Sequence, residues 1–173
     1  MVAYHDDEWG LPCHDDIELF ERLALESFQA GLSWSTILRK RDSFRAAFRG
    51  FDPRVVAGFD ASDRERLMGD AGIVRNRAKI DATIGNATAF LETAAEFGSF
   101  DAYLAEHVPG PPPRLPPDAT MGSIPATTPV SDALSADLRR RGFKFVGSTI
   151  VYAFMQSVGL VDDHLPGCFR YRP

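Results

Sequence analysis

The stretch Asp70-Ala71-Gly72-Ile73-Val74-Arg75-Asn76-Arg77-Ala78-Lys79-Ile80 decides how the rest of this chain is read. It joins a short amphipathic segment, Ser62 to Met68, to the longest periodic stretch of the sequence, about 76–97, where Ile80, Ile84, Ala87, Phe90 and Leu91 recur at helical spacing. Two helices that meet at a tight, glycine-containing turn direct backbone N–H groups outward, and Arg75, Arg77 and Lys79 stand directly beside them. Such a turn grips a phosphate without reading sequence. A plain connection between helices has the same appearance, so the stretch alone leaves both readings open.

The segments on either side carry the same 3.6-residue period. Residues 15–29 place Ile17, Phe20, Leu23, Ala24 and Phe28 on one stripe behind Asp15 or Asp16 as N-cap. Residues 33–49 repeat the pattern through Trp34, Ile37, Leu38, Phe44 and Phe48, with Ser33 as cap, and Pro53 opens a further short helix. The segment from Pro109 to Pro117 holds too many prolines for a helix or a central strand and is expected as a surface loop. Beyond it, Ser131-Asp132 is expected to cap a helix reaching Arg141, and Gly147 and Gly159 bracket an apolar helix. Only Phe143 to Val146 looks extended, so the expected fold is all-α.

At 173 residues, 45% hydrophobic with 13 Phe, the chain predicts one domain over 1–173: the hairpin at about 62–90, the Pro-rich loop at 109–117, and C-terminal helices and tail at 130–173. No apolar run approaches the roughly 18 residues needed to cross a bilayer, and the start lacks the pattern of a signal peptide, so a cytoplasmic protein without a membrane partner is expected. The formal net charge of −5 would ordinarily argue against nucleic acid. Residues 1–26, however, hold eight acids and one base, whereas 27–173 carry a net +2. The bases cluster at 39–49, at 75–79 and at 139–144. Any one cluster reads as a solvated helix face; the three together point to a polyanion.

Two groups of residues carry possible chemistry. Glu26 falls near the end of an apolar helix, eight residues before Trp34, with Tyr4, Trp9 and Phe28 as further aromatics. A carboxylate among aromatics is either a surface acid or a group kept for a cationic or hydrogen-bonding ligand whose ring the aromatics could stack on. Trp9 and Phe28 read first as core. His164 and Cys168 are four residues apart and His5 supplies a third donor from the other end of the chain. Imidazole and thiolate suit zinc, which ordinarily takes four ligands in structural sites, so three donors leave the metal an open question.

The strings Tyr4-His5-Asp6-Asp7-Glu8-Trp9-Gly10, Gln29-Ala30-Gly31-Leu32-Ser33-Trp34 and Arg140-Arg141-Gly142-Phe143-Lys144-Phe145-Val146-Gly147 together resemble the bacterial 3-methyladenine DNA glycosylase I family, among the helix-hairpin-helix DNA repair glycosylases. The resemblance runs from Tyr4 to Cys168. It implies two helical lobes with a base pocket between them, and removal of 3-methyladenine from alkylated double-stranded DNA by a monomer that leaves an abasic site and releases the free base. It assigns Glu26 to recognition of the methylated base and catalysis, Tyr4 and Trp9 to the pocket, and Trp34 to stacking on the base. Gly31 and Leu32 match the loop that fills the gap in the duplex, and Gly72, Arg75, Arg77 and Lys79 match the DNA-gripping hairpin. His5, His164 and Cys168 match three ligands of the family's structural zinc. The fourth is a cysteine about a dozen residues ahead of the His5 position, so the sequence is expected to lack the family's extreme N-terminus; nothing in the resemblance makes Cys13 its substitute. The family has no sugar-stabilising aspartate, so neither Asp81 nor Asp101 is given that role, and Lys79 is expected to contact phosphate rather than act as a lyase nucleophile.

Overall fold

A computed structural model describes residues 1–172. The elements in chain order are α1 (Val2–Asp7), α2 (Asp16–Gln29), α3 (Trp34–Ala47), α4 (Pro53–Val56), α5 (Ala61–Gly69), α6 (Arg77–Phe97), α7 (Phe100–His107), α8 (Pro129–Arg140) and α9 (Ser148–Ser157), with two short 3-10 turns. Among the described residues there is no strand, and a single isolated bridge pairs Arg114 of the Pro-rich loop with Asp162 of the tail. None of the described helices is long and apolar enough to cross a membrane.

Helix α2 is the axis of the molecule. Ten consecutive residues, Leu19 to Phe28, are buried, because α2 packs against α3, α6, α7 and α9. Its apolar face joins Phe20 to Phe90 and Phe51, and Phe28 to Phe44 and Phe48, in one aromatic cluster. Phe28 is therefore core, as its spacing predicts. Helices α4 and α5 pack on α6, and α8 packs on α9, so both groups reach α2 through a helix that touches it directly.

The hairpin forms as its sequence indicates. Asp60 caps α5 through a reciprocal capping box, and Asn76 caps α6 by accepting from the Lys79 N–H. In the turn between them, Asp70 Oδ1 accepts from the Gly72 N–H at 2.7 Å, and Lys40 of α3 reaches over to donate to the carbonyls of Ala71 and Gly72. A Cβ at position 72 would stand 3.0 Å from the Ser43 side chain, so glycine is what lets the turn sit against α3.

Some local expectations are corrected. Ser131 is not the N-cap of α8: Thr128 is, with Pro129 at the first helical position and Ser131 closing the capping box from the third. Helices α1 and α7 carried no expectation. For α7 the signal was present in Ser99 as cap and in the spacing of Phe100, Tyr103 and Leu104, all three of which are buried. The segment Phe143 to Val146 pairs with no strand.

The largest correction concerns Lys79. Its ammonium does not face solvent; the residue is 7% exposed and donates to the carbonyls of Phe28 and Ala30, at 2.7 and 2.6 Å. Those carbonyls lie at the C-terminal end of α2, where intrahelical donors run out, and a cation is favoured there by the helix dipole. Lys79 thus fastens the hairpin helix to α2 and is in no position to meet a phosphate. Arg75, by contrast, is exposed and carries no ion pair among the described residues. Lys79→Met is expected to lower stability by roughly 1–3 kcal/mol, because it leaves buried carbonyls without a donor, while Arg75→Gln stays within about 0.5 kcal/mol of the unsubstituted chain; denaturant unfolding midpoints check both.

Candidate active site

Helices α1, α2, α3 and α9 enclose a cavity of about 330 Å³ lined by Tyr4, His5, Trp9, Glu26, Trp34 and Gln156, among others. Glu26 reaches it from the last turns of α2. The side chain is 5% exposed and makes no hydrogen bond or ion pair among the described residues. Burial alone pushes its carboxyl up to about 8. This is the desolvation effect in unmixed form, since no cation is close enough to offset it.

The cations nearest to α2 are all engaged elsewhere. Arg41 of α3 donates to Glu8 at 2.7 Å and to Glu21 at 2.6 Å. Arg45 also binds Glu21, and Arg22 donates to the Ser157 carbonyl. The Arg41–Glu8 contact holds the end of α1 in place, together with Arg170, which donates to the Asp6 carbonyl, and with the Gly10 N–H, which donates to the Gln156 carbonyl. Helix α1 in turn carries Tyr4. Its ring lies 5.4 Å from that of Trp34, tilted by 53°, with the Arg41 guanidinium 5.9 Å from its centroid. Burial and the nearby Glu26 both hold the Tyr4 phenol well above its ordinary range, so it stays a neutral hydroxyl. The cavity therefore presents the aromatic rings of Tyr4, Trp9 and Trp34 and one unpartnered carboxyl, the composition suited to a flat, cationic or hydrogen-bond-donating ring.

A larger cavity of about 430 Å³ lies under the Pro-rich loop. Its carboxylate, Asp163, already accepts from Tyr152 and Gln156, each at 2.7 Å, and the rest of its wall is almost wholly apolar. Size alone would favour it; the open carboxyl is in the other cavity.

The three metal-type donors converge. One ligand atom from each of His5, His164 and Cys168 lies within 4.8 Å of the others. The Cys168 sulfur is 3.5 Å from His5 Nε2, and His164 Nε2, although buried, has no hydrogen-bond partner. Each imidazole is oriented through its other nitrogen, His5 Nδ1 by Asp6 and His164 Nδ1 by Asp162, both at 2.7 Å. Carboxylates behind histidines are the usual outer partners of metal ligands. Trp9 packs edge-on against His164 at 4.7 Å and faces His5 at 6.0 Å, so it forms the wall between this cluster and the cavity rather than part of the core. A Cβ at Gly10 would stand 2.6 Å from His164 Cε1, and its φ of +73° also favours glycine. Cys13 lies apart, buried, with its thiol on Glu18.

Of the expected DNA-contacting residues, Leu32 is an exposed apolar side chain at 38% and Gly31 precedes it with a positive φ. Gly72 is in the hairpin turn and Arg75 is free, whereas Arg77 is paired with Glu65 on the surface at 2.9 Å. Asp81 is paired with Arg64 and Asp101 stands beside His14, so neither faces the cavity. Sequence reasoning missed Gln156 and Ala153 of α9 as lining residues. Their signal was only that an apolar helix carries a glutamine.

The folded Glu26 carboxyl holds its proton to about 8, against 4.5 ordinarily. Between those values the folded chain binds more protons than the unfolded one, so this group makes stability fall as pH rises across that window. Glu26→Gln, neutral throughout, is expected to lose less stability than the unsubstituted chain from pH 5 to pH 9 and to melt several degrees higher at pH 9. Parallel melting curves for the two proteins would contradict the burial argument.

Comparison with known proteins agrees with this geometry. The family model described as methyladenine glycosylase matches residues 1–171. The chain is 50% identical to DNA-3-methyladenine glycosylase 1 of Escherichia coli K12 over 170 residues, covering 98% of this chain and 90% of the relative. It is 46% identical to DNA-3-methyladenine glycosylase of Haemophilus influenzae, covering 96% and 90%. Among solved structures, 3-methyladenine DNA glycosylase I from Staphylococcus aureus, described for its recognition of 3-methyladenine, superposes with a TM-score of 0.94 at 38% identity, covering 99% of this chain and 91% of that one. The all-α architecture, the aromatic cavity around Glu26 and these matches over almost the whole length agree, and the chain belongs to the methyladenine glycosylase family.

Proposed function

We propose that this chain is a base-excision repair enzyme that extrudes 3-methyladenine from alkylated duplex DNA into the Glu26 cavity and hydrolyses its bond to the sugar. The observation that carries the reading is the buried carboxyl of Glu26, open to an aromatic cavity and without any partner of its own. Methylation at N3 gives the nucleobase a positive charge. A cation entering the cavity favours ionised Glu26, whereas unmethylated adenine brings no charge to offset the desolvation, so the cavity discriminates by charge as well as by shape. Trp34 and Tyr4 supply ring contacts, and stacking of a base on an aromatic side chain contributes roughly 1–3 kcal/mol.

The chemistry asks little of the protein after that selection. The cationic base is already a good leaving group: the bond between sugar and base breaks with its electron pair moving onto the base, which departs neutral. Water adds to the sugar carbon and gives up a proton, and an abasic site remains. Extrusion costs a few kcal/mol, less at a damaged pair. The position of Lys79, enclosed and bonded to two carbonyls, supports a monofunctional enzyme, since a lyase needs a free amine at the sugar. The scatter of exposed large apolar side chains, such as Val55, Met121 and Phe169, over different segments supports action as a monomer.

Structural zinc belongs to the same proposal. His5, His164 and Cys168 would hold the ion, and the fit rests on the converging donors and on the orphaned buried His164 Nε2. Bound there, zinc would tie the N-terminal segment that carries Tyr4 to the C-terminal tail, with no part in the hydrolysis.

Two outcomes are expected. Alkylated DNA incubated with the protein releases 3-methyladenine without strand cleavage, and Glu26→Gln slows that release at least ten-fold, as loss of a charge-assisted hydrogen bond of about 1.5–3 kcal/mol requires; release at the unsubstituted rate would remove Glu26 from the reading. Elemental analysis of the purified protein gives about one zinc per chain, falling on His164→Ala; absence of zinc from the folded protein would remove the metal.

A further inference from the structure

The turn Lys144-Phe145-Val146, between α8 and α9, has a conformation that its own packing does not account for. Phe145 has φ +56°, a left-handed backbone that a bulky side chain adopts only at a cost. Phe51 has a similar φ of +57°, but its ring is fully buried in the aromatic cluster, which offsets the strain. The ring of Phe145 remains 39% exposed.

The strained turn is held by three separate helices. Asn86 of α6 clips Lys144 from both sides, donating to its carbonyl at 2.9 Å and accepting from its N–H at 2.8 Å. Ser27 of α2 donates to the Phe145 carbonyl at 3.1 Å, and Ser135 of α8 donates to the Val146 carbonyl at 2.6 Å. All three side chains are buried polar groups. So much polar anchoring fixes the backbone while leaving an aromatic residue partly exposed, an arrangement that suits a contact surface held ready for a partner.

Its position says which partner. Ser27 is one residue from Glu26 and five before Leu32, and Lys79 ties the first turn of the hairpin helix to the same end of α2. Phe145, Leu32 and the hairpin are thus all anchored at the C-terminal end of α2. The charges there suit a polyanion: Lys144 is exposed beside Phe145, Arg139 is exposed on α8, and neither carries an ion pair among the described residues.

We propose that Lys144-Phe145 is a second duplex-contacting element, in which the Phe145 ring packs against a base or sugar beside the extruded nucleotide and Lys144 meets the adjoining phosphate. The proposal rests on the glycosylase reading and extends it to residues outside the base cavity. The Phe145 ring would act on the DNA, not on the extruded base.

The test separates the two readings. Phe145→Gly and Phe145→Asn both remove the ring and both relieve the left-handed backbone, since glycine and asparagine tolerate it; Phe145→Tyr keeps the ring. Binding is measured to a duplex carrying a tetrahydrofuran abasic-site analogue and, separately, to free 3-methyladenine, alongside the melting temperature. Expected are a roughly ten-fold or greater loss of duplex affinity in both ring-less variants, retention in Phe145→Tyr, unchanged affinity for the free base, and a melting temperature equal to or above that of the unsubstituted chain. Duplex affinity within two-fold of the unsubstituted chain in either folded ring-less variant overturns the proposal, as does a parallel loss of free-base binding, which would make the turn a support for the cavity. An unsubstituted chain that binds neither duplex nor free base would instead overturn the glycosylase reading itself.

Discussion

The desolvation of one carboxyl sets the terms for the rest of the molecule. Glu26 lies within a helix whose ten central residues are buried, and nothing in the fold neutralises it. Leaving an acid in that state costs stability, and the structure shows how the cost is contained. Arg22 belongs to α2 and Arg41 and Lys79 lie against it, yet each is directed to a carbonyl or to Glu8 and Glu21. These contacts fasten α3, α6 and α9, and the end of α1, to α2, and none of these cations pairs with Glu26. A guanidinium directed at Glu26 instead would give it a permanent partner and, on the proposed reading, remove the preference for a cationic ring.

The same distribution explains how an acidic chain can have a face for nucleic acid. Many acids of the first 26 residues are engaged internally: Asp15 caps α2, Asp16 accepts from the first turn of α7, and Glu8 and Glu21 hold the arginines of α3. Parts of the basic clusters are consumed in the process, so Arg41, Arg45 and Lys79 no longer count toward a phosphate-facing surface. Arg49, Arg75, Arg139 and Lys144 remain without ion pairs among the described residues. On the proposed reading, electrostatic attraction to DNA is accordingly moderate, and positioning is shared by the hairpin and by apolar contacts from Leu32 and Phe145.

Periodicity made the long helices legible: α2, α3, α6 and α9 each repeat apolar residues with a 3.6-residue period, and Asp15 marks the start of α2 as a cap, whereas the cap of α6, Asn76, went unread. Helix α1 was not legible, because six residues hold no repeat and its place depends on Arg41 and Arg170, which are distant in sequence. Lys79 was misread for a related reason. A lysine among arginines after a glycine turn has the local signature of a phosphate contact, and only the approach of the α2 C-terminus, some fifty residues earlier, turns it inward. Glu26, Tyr4 and Trp34, grouped by the motif resemblance, line one cavity, whereas Gln156 gave little sign beyond being a glutamine in an apolar helix, because its place there is set by the pairing of α9 with α2.

The account stands on the ionisation of Glu26, and that is open to direct observation. A carbon-13 titration of the Glu26 side-chain carboxyl, followed by NMR in the free protein and again with duplex DNA carrying a stable cationic base analogue at the lesion position, reads it without reference to turnover. The account predicts a midpoint near 8 in the free protein and an ionised carboxylate at neutral pH once the cationic base is bound. A free-protein midpoint in the ordinary glutamate range, unmoved by the bound base, would contradict it.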